Sequence, residues 1–115
     1  MKMDQSNSND YFFNVLLQFD SMNRNRQVTE DYVLNNIVYG LKTLFGEVGA
    51  SFPITILKLS SEKAAAFKND YGIILMCTTD CAVKLRASLT LHGTYQGERC
   101  AYHILNAAHN LLSLT

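Results

Sequence analysis

The sequence predicts an α+β fold, because segments typical of strands and of helices follow one another in the order strand, helix, strand, strand, helix, strand. Apolar and polar residues alternate in the first strand, whereas apolar residues recur at helical spacing in the two helices. A βαβ unit that occurs twice in series is typical of the ferredoxin-like fold, which RNA-recognition motifs share. We therefore expect an antiparallel four-stranded sheet with both helices on one face, strands one and three in its centre, and a short C-terminal helix.

A single domain is expected over residues 11–115, because a chain of 115 residues that is 48% hydrophobic suffices for one core. Residues 1–10 are polar and are predicted to form a disordered tail. The first strand is predicted at Tyr11–Phe19, where the odd positions are apolar and share one face.

The first helix is predicted to begin after Thr29, a plausible N-cap, and to end at Phe45 before Gly46. The stripe expected to lie on the sheet consists of Val33, Leu34, Ile37, Val38, Leu41, Leu44 and Phe45. The opposite side carries Tyr32, Asn36, Tyr39 and Thr43. One apolar stripe is what a helix lying on a sheet needs.

The second half of the chain shows the same two patterns. The predicted elements are strands Ile54–Ser60, Tyr71–Thr78 and Arg99–Asn106, a helix with Thr79 or Asp80 as its N-cap that continues to Leu91, and a helical tail at Ala107–Leu114. Gly93 ends the second helix, and a turn containing Gly97 leads into the last strand. We interpret residues 61–70 as a long hairpin connection, with a short helical turn at Ala64–Ala66 as the alternative.

The sheet face away from the helices is predicted to be covered by protein. RNA-recognition motifs place aromatic side chains there to stack on bases. The third strand, at Tyr71–Met76, lacks the Lys/Arg-Gly-aromatic pattern of that motif, and its aliphatic side chains offer no stacking. The chain's own tail, with Leu111, Leu112 and Leu114, is the candidate cover.

The second helix has apolar residues on two sides. One stripe consists of Cys81, Ala82, Leu85 and Leu89, and the other of Val83, Ala87 and Leu91. A helix on a sheet needs only one apolar stripe, so the second indicates a partner protein. The alternative is that this alanine-containing stripe is tolerated at the surface. Tyr32 and Tyr39, on the outer side of the first helix, complete the candidate partner-binding residues.

No metal or catalytic site is predicted. Cys77 and Cys81, with Cys100 and His103, resemble a split zinc site, but side chains three positions apart in a strand leave opposite faces. Free buried thiols are the simpler interpretation. None of the three histidines has the neighbouring nucleophile and orienting group of an acid–base site, and His92 is interpreted as a favourable partner of a helix C-terminus.

The charge balance excludes a strongly basic nucleic-acid binder, because ten Lys and Arg residues match ten Asp and Glu residues. Lys84, Arg86 and Arg99 are the candidate RNA-binding residues, as phosphate contacts made by an already docked domain. An odd number of cysteines, with neither a signal-peptide pattern nor an apolar run long enough to span a bilayer, predicts an intracellular protein.

Residues 88–101 read Ser-Leu-Thr-Leu-His-Gly-Thr-Tyr-Gln-Gly-Glu-Arg-Cys-Ala. Together with residues 44–48, Pro53, Ile56-Leu57 and Val83-Lys84-Leu85, this stretch resembles the fourteen-kilodalton protein subunit family of nuclear ribonuclease P and ribonuclease MRP. The resemblance runs from about Tyr11 to near the C terminus. The pattern Ser-Leu-Thr-Leu-x-Gly-x-Tyr-x-Gly-x-x-Cys-Ala carries most of it.

The resemblance implies a non-catalytic scaffold subunit without a cofactor of its own. Its partners would be a structurally similar small subunit, a barrel-shaped thirty-kilodalton subunit and a catalytic RNA with Mg²⁺ ions. The assembly would process precursor tRNA and precursor rRNA in the nucleus and nucleolus. Two hypotheses remain beside it: an autonomous domain for single-stranded RNA, and a ferredoxin-like regulatory domain for a small metabolite.

Overall fold

The computed structural model describes residues 10–20, 27–46, 53–61 and 70–114. The elements are β1 (Asp10–Phe19), α1 (Glu30–Phe45), β2 (Ile54–Ser61), β3 (Asp70–Thr78), α2 (Thr79–Leu91), β4 (Thr94–Tyr95), β5 (Glu98–Ala108) and a 3₁₀ helix (Leu111–Leu114). Most of the predicted disordered tail and of the connection with Ala64–Ala66 lies outside the described residues, although Asp10 already belongs to β1.

The sheet is antiparallel and has the strand order β2-β3-β1-β5-β4. The predicted central position of the first and third strands is confirmed. The number of strands is corrected from four to five, because Thr94 and Tyr95 pair with Arg99 and Glu98. Gln96 and Gly97 have φ values of 51° and 81°, the left-handed pair that favours a two-residue hairpin.

β1 shows the alternation that the sequence predicted. Its odd positions from Phe13 to Phe19 are buried under the helices, whereas its even positions are half-buried or exposed on the other face. Phe19 packs edge-on against Tyr71 and Tyr95, with ring centroids 6.0 and 5.5 Å away. The core therefore lies between the central strands and the helix layer.

β5 extends further than predicted, to Ala108, because it pairs with the start of β1. Ile104 is opposite Val15 and Asn106 is opposite Asn14, so the register shifts and leaves Leu105 as an extra residue. The predicted helical tail is correspondingly corrected to the single 3₁₀ turn at Leu111–Leu114.

Both predicted caps of α1 are confirmed. The Thr29 hydroxyl accepts a hydrogen bond from the Tyr32 amide at 3.2 Å, and Gly46 closes the helix with φ at 79°. The N-cap of α2 is corrected to Thr78, one residue before the earlier of the two predicted caps.

Three residues of α1 are placed differently from the prediction. Leu44 and Phe45, expected on the sheet, are exposed at the C-terminal end of the helix. Asn36, expected to face away, donates hydrogen bonds to the Tyr102 hydroxyl at 2.7 Å and the Thr94 carbonyl at 3.1 Å. The β4–β5 hairpin reaches this side of α1, and a helical wheel cannot show that contact.

α1 and α2 cross at a buried glycine. A Cβ atom on Gly40 would lie 3.0 Å from the Ser88 Oγ and 3.1 Å from the His92 Nδ1. Glycine is costly inside a helix, but here the missing side chain lets the two helices approach each other closely. Ser88 of α2 is consequently buried.

Candidate protein-docking surface

The outward side of α2 carries large apolar side chains that the described part of the chain leaves exposed. Val83 is 77% exposed and Leu91 is 70% exposed, whereas Ala87 between them is half-buried. The other stripe, Cys81, Ala82, Leu85 and Leu89, is buried against the sheet as predicted. The two-sided apolar character of α2 therefore corresponds to one face in the core and one face toward solvent.

α1 extends this exposed area. Tyr39 is 65% exposed, and Tyr32 is exposed on the same outer side. Phe45 adds an exposed ring at the end of the helix, with the Lys84 ammonium 5.7 Å from its centroid. We call the set Tyr32, Tyr39, Val83, Ala87, Leu91, Leu44 and Phe45 the helix-layer surface.

His92 and Tyr102 pack beneath the exposed Tyr39 of the helix-layer surface. The His92 ring lies nearly parallel to the Tyr102 ring at 6.2 Å, and the Tyr39 ring is 6.5 Å from His92. Burial lowers the pKa of His92, although a hydrogen bond to the Thr94 backbone acts in the opposite direction. His92 is therefore part of the packing under the surface, and its interpretation as a simple partner of the helix C-terminus is corrected.

Sequence reasoning did not select Gly40 or His92 for this site. A glycine in the middle of an otherwise regular amphipathic helix is the signal that could have indicated a close helix crossing. His92 offered no comparable signal, because its burial depends on Tyr102 in a distant strand.

The candidate RNA-binding residues lie against different elements. Lys84 contacts Phe45 of α1, whereas the Arg86 guanidinium lies 5.4 Å from the ring centroid of Phe13 in β1. The Arg99 Nε is 3.7 Å from Asp20 Oδ2, and both side chains are largely exposed. The structure does not gather the three into one basic cluster.

The residues of the suggested split zinc site are also separated. Cys100 is buried on the helix side of β5, whereas His103 is exposed on the opposite face. Within residues 10–20, 27–46, 53–61 and 70–114, no three His, Cys, Asp or Glu side chains come together to hold a metal ion. The same residues include no helix long and apolar enough to cross a membrane.

The C-terminal 3₁₀ helix covers only part of the open sheet face. The Asn106 side chain donates to the Ser113 carbonyl at 3.3 Å, and Leu111 lines a shallow cavity with Phe12. Leu112 nevertheless remains 81% exposed. The tail therefore covers the open sheet face only near Phe12, which is less than predicted. The side chain of Leu114 lies outside the described residues.

A small α+β sandwich with a closed core and an exposed apolar helix layer presents the kind of patch that marks protein-interaction sites. The chain is similar to the ribonuclease P protein subunit p14 of Mus musculus, with 32% identity over 111 residues that cover 96% of this chain and 84% of that protein. The similarity to the human subunit is 35% over 79 residues, covering 69% of this chain and 58% of the relative. This chain belongs to the ribonuclease P protein subunit p14 family.

The fold has a counterpart among solved structures. A chain in the cryo-EM structure of yeast ribonuclease MRP superimposes with a TM-score of 0.66 at 11% identity, covering 94% of this chain and 79% of the other. At this low identity the likeness concerns the fold alone. No protein-family model matches the chain.

Proposed function

We propose that the chain is a non-catalytic protein subunit of a ribonuclease P or ribonuclease MRP ribonucleoprotein and acts as a scaffold for it. The RNA of the assembly, with its Mg²⁺ ions, supplies the chemistry that matures tRNA 5′ ends and rRNA precursors. The chain needs no cofactor for this role. Its place of action is the nucleus, including the nucleolus.

The helix-layer surface is the single observation that carries this proposal. Val83 and Leu91 project 77% and 70% of their surface to solvent from a helix whose opposite side fills the core. Full burial of such a side chain contributes about 1.5–3 kcal/mol. Burying both side chains in an interface therefore makes a large favourable contribution to the free energy of binding a partner, without any change to the fold.

The proposed occupants of the helix-layer surface are other protein subunits, namely a structurally similar small subunit and a barrel-shaped thirty-kilodalton subunit. The surface favours protein over RNA, because its exposed members are aliphatic or aromatic and the basic residues do not form one patch. Contacts with RNA are therefore proposed to be peripheral.

Co-purification from the protein's own cells tests the docking surface. A tagged chain carrying both Val83→Asp and Leu91→Asp is expected to lose its protein partners, because two unpaired carboxylates would be buried in the interface. Leu112→Asp is the matched control, since Leu112 is 81% exposed on the C-terminal 3₁₀ helix. Circular dichroism checks the fold of each variant. Retention of every partner by the doubly substituted chain would show that the helix layer is not the interface.

A further inference from the structure

β5 pairs with β1 along one edge, whereas β4 covers only the first two residues of its outer edge. On that outer edge the Cys100 amide donates a hydrogen bond to the Gly93 carbonyl at 2.9 Å. Successive residues of a strand point their amide and carbonyl groups to opposite sides, so Tyr102 and Ile104 present theirs on the same edge as Cys100. In the part of the chain that the structure describes, no strand pairs with them there. This stretch of β5 is therefore an open sheet edge.

A cavity of about 350 Å³ lies beside the open stretch of β5. Its lining residues are Arg86 and Thr90 of α2 with Tyr102, His103 and Ile104 of β5. Further along β5, the Ala107 amide donates to the side-chain oxygen of Asn106 at 2.9 Å, which closes the edge again. A helix thus forms one wall of the cavity and an open strand edge the other, an arrangement in which peptides bind by strand addition. We call this cavity the α2–β5 slot.

The charge of the α2–β5 slot indicates the chemistry of its occupant. The Arg86 guanidinium lies against the Phe13 ring, 5.4 Å from its centroid, and no Asp or Glu is among the described lining residues. A carboxylate on an incoming segment would complement this charge. A second copy of the chain fits poorly, because antiparallel pairing of Tyr102 with Ile104 of the copy places His103 opposite the same residue of the copy. Such a pairing also brings two Arg86 side chains to one place.

We propose that the α2–β5 slot binds an extended segment of a partner protein, which adds a strand to β5 and places an acidic side chain at Arg86. The segment exchanges hydrogen bonds with the backbone of Tyr102 and Ile104, and about three to five residues span the open stretch. RNA matches the edge less well, since phosphate oxygens only accept hydrogen bonds and leave the two carbonyls unpaired. The slot does not include Val83 or Leu91, so this proposal and the helix-layer surface can fail independently.

Arg86 also lines a second cavity, on the side of Thr79 and Val83. No residue of β5 borders that cavity, so it offers no strand edge to a peptide. Strand addition therefore concerns the α2–β5 slot alone.

Hydrogen–deuterium exchange tests the proposal on the full-length chain, alone and in the assembly purified from its own cells through a tag on the chain. We expect the amides of Tyr102 and Ile104 to exchange at least about tenfold more slowly in the assembly, because the added strand hydrogen-bonds them. Equal exchange in both states would overturn the proposal. Protection of the isolated chain that grows with its concentration would identify a second copy as the occupant. Protection that ribonuclease removes while the protein partners stay bound would identify RNA, and either result overturns the proposal.

A bulky side chain in the slot separates strand addition from other causes of protection. Thr90 is exposed on α2, so Thr90→Trp should fill the slot without disturbing the core and return exchange at Tyr102 and Ile104 to the rate of the isolated chain. Leu112→Trp is the matched control, since it adds the same ring at another exposed position and should leave the protection unchanged. Full protection in the Thr90→Trp assembly would contradict the proposal, because the ring and the segment cannot share the slot.

The acidic side chain of the occupant is tested in the same measurement. Arg86→Glu should abolish the protection by repelling the carboxylate, whereas Arg86→Lys should keep most of it. Circular dichroism of each variant checks the fold. Equal protection in the two Arg86 variants would overturn the assignment of an acidic segment to the slot.

Discussion

The helix layer and the open sheet face are both apolar in sequence, yet the structure exposes them differently. On the sheet face, Phe12, Leu16, Ile74 and Met76 are half-buried. On the helix layer, Val83 and Leu91 project most of their surface to solvent. Apolar content alone does not distinguish the two faces, but the depth to which each side chain is covered does.

Cross-strand neighbours explain much of this difference. Phe12 stands directly opposite Met76, and Leu16 stands directly opposite His103. Paired side chains on a sheet cover one another within about 5 Å. Side chains on the outer side of a helix lack such directly opposite partners, and fewer neighbours cover them. A helix layer that the described residues leave exposed is therefore the stronger indication of a docking site.

The same substitution should destabilise the protein strongly in the helix layer and hardly at all on the sheet face, and this is the largest difference that we predict. Gly40→Val places atoms where Ser88 and His92 already lie, so we expect a loss of about 1–3 kcal/mol in the free energy of unfolding. Gly72→Val adds atoms on the open face, where a Cβ meets only the flexible Ser60 hydroxyl closely, at 3.2 Å. The strand there favours a β-branched residue, so we expect a change within about 0.5 kcal/mol.

Urea unfolding followed by circular dichroism measures both free energies. Equal destabilisation by the two valines would mean that the helix crossing is no tighter than the sheet face. Gly40→Val should also weaken co-purification, because a wider crossing displaces Tyr39 relative to Leu91 on the helix-layer surface.

The elements with regular periodicity could be predicted from the sequence. β1 and α1 each have an apolar pattern that matches their burial, and Thr29 and Gly46 mark the ends of α1 by local capping chemistry. β4 could not be predicted, because its two residues pair only through the left-handed turn at Gln96-Gly97. The end of β5 was missed, since the extra residue Leu105 interrupts the alternation of period two.

The residues of the candidate site also divide into those that a local sequence pattern predicts and those that depend on distant contacts. Val83 and Leu91 followed from the two stripes of α2, which is a local property of one helix. Gly40, Asn36 and His92 owe their places to contacts between elements far apart in sequence, which no local pattern encodes. The motif at residues 88–101 also has a structural explanation, since it contains the buried Ser88 and a buried Tyr95 whose hydroxyl donates to the Gln27 carbonyl at 2.8 Å.

A second prediction, with a smaller expected effect, concerns how the free energy of unfolding depends on pH. Because burial holds the pKa of His92 below its ordinary value of 6.5, the folded chain keeps this imidazole neutral while the unfolded chain takes up a proton. This contribution is complete above pH 6.5 and is lost as pH falls from there toward the lower pKa of the folded chain. We therefore expect the free energy of unfolding to decrease as pH falls below 6.5.

The His92→Gln variant should show a flatter dependence over the same range, whereas His103→Gln, exposed on the sheet face, should behave like the unmodified chain. Urea titrations at several pH values measure the slopes. An unchanged slope in His92→Gln would exclude His92 as the source of the effect.

The smallest predicted effect concerns RNA binding, and it compares Arg86 with Lys84, which lie on different sides of α2. Arg86 lines a cavity of about 240 Å³ with Tyr11, Thr79, His109 and the apolar Val83, so the cavity can offer a phosphate several hydrogen-bond donors. Lys84 lies beside Phe45, toward the proposed protein interface. We expect Arg86→Gln to weaken RNA binding of the assembled subunit by less than about 1 kcal/mol and to reduce its salt slope by about one.

Lys84→Gln is the matched control, since it removes one positive charge from the same helix. Filter binding at several salt concentrations compares the two variants with the unmodified chain. Equal slopes for both variants would mean that RNA responds only to net charge, and the cavity beside Arg86 would then have no special role. A reduced slope for Arg86→Gln alone would place RNA at the cavity that Arg86 shares with Val83, while Leu91 at the other end of α2 stays free for protein.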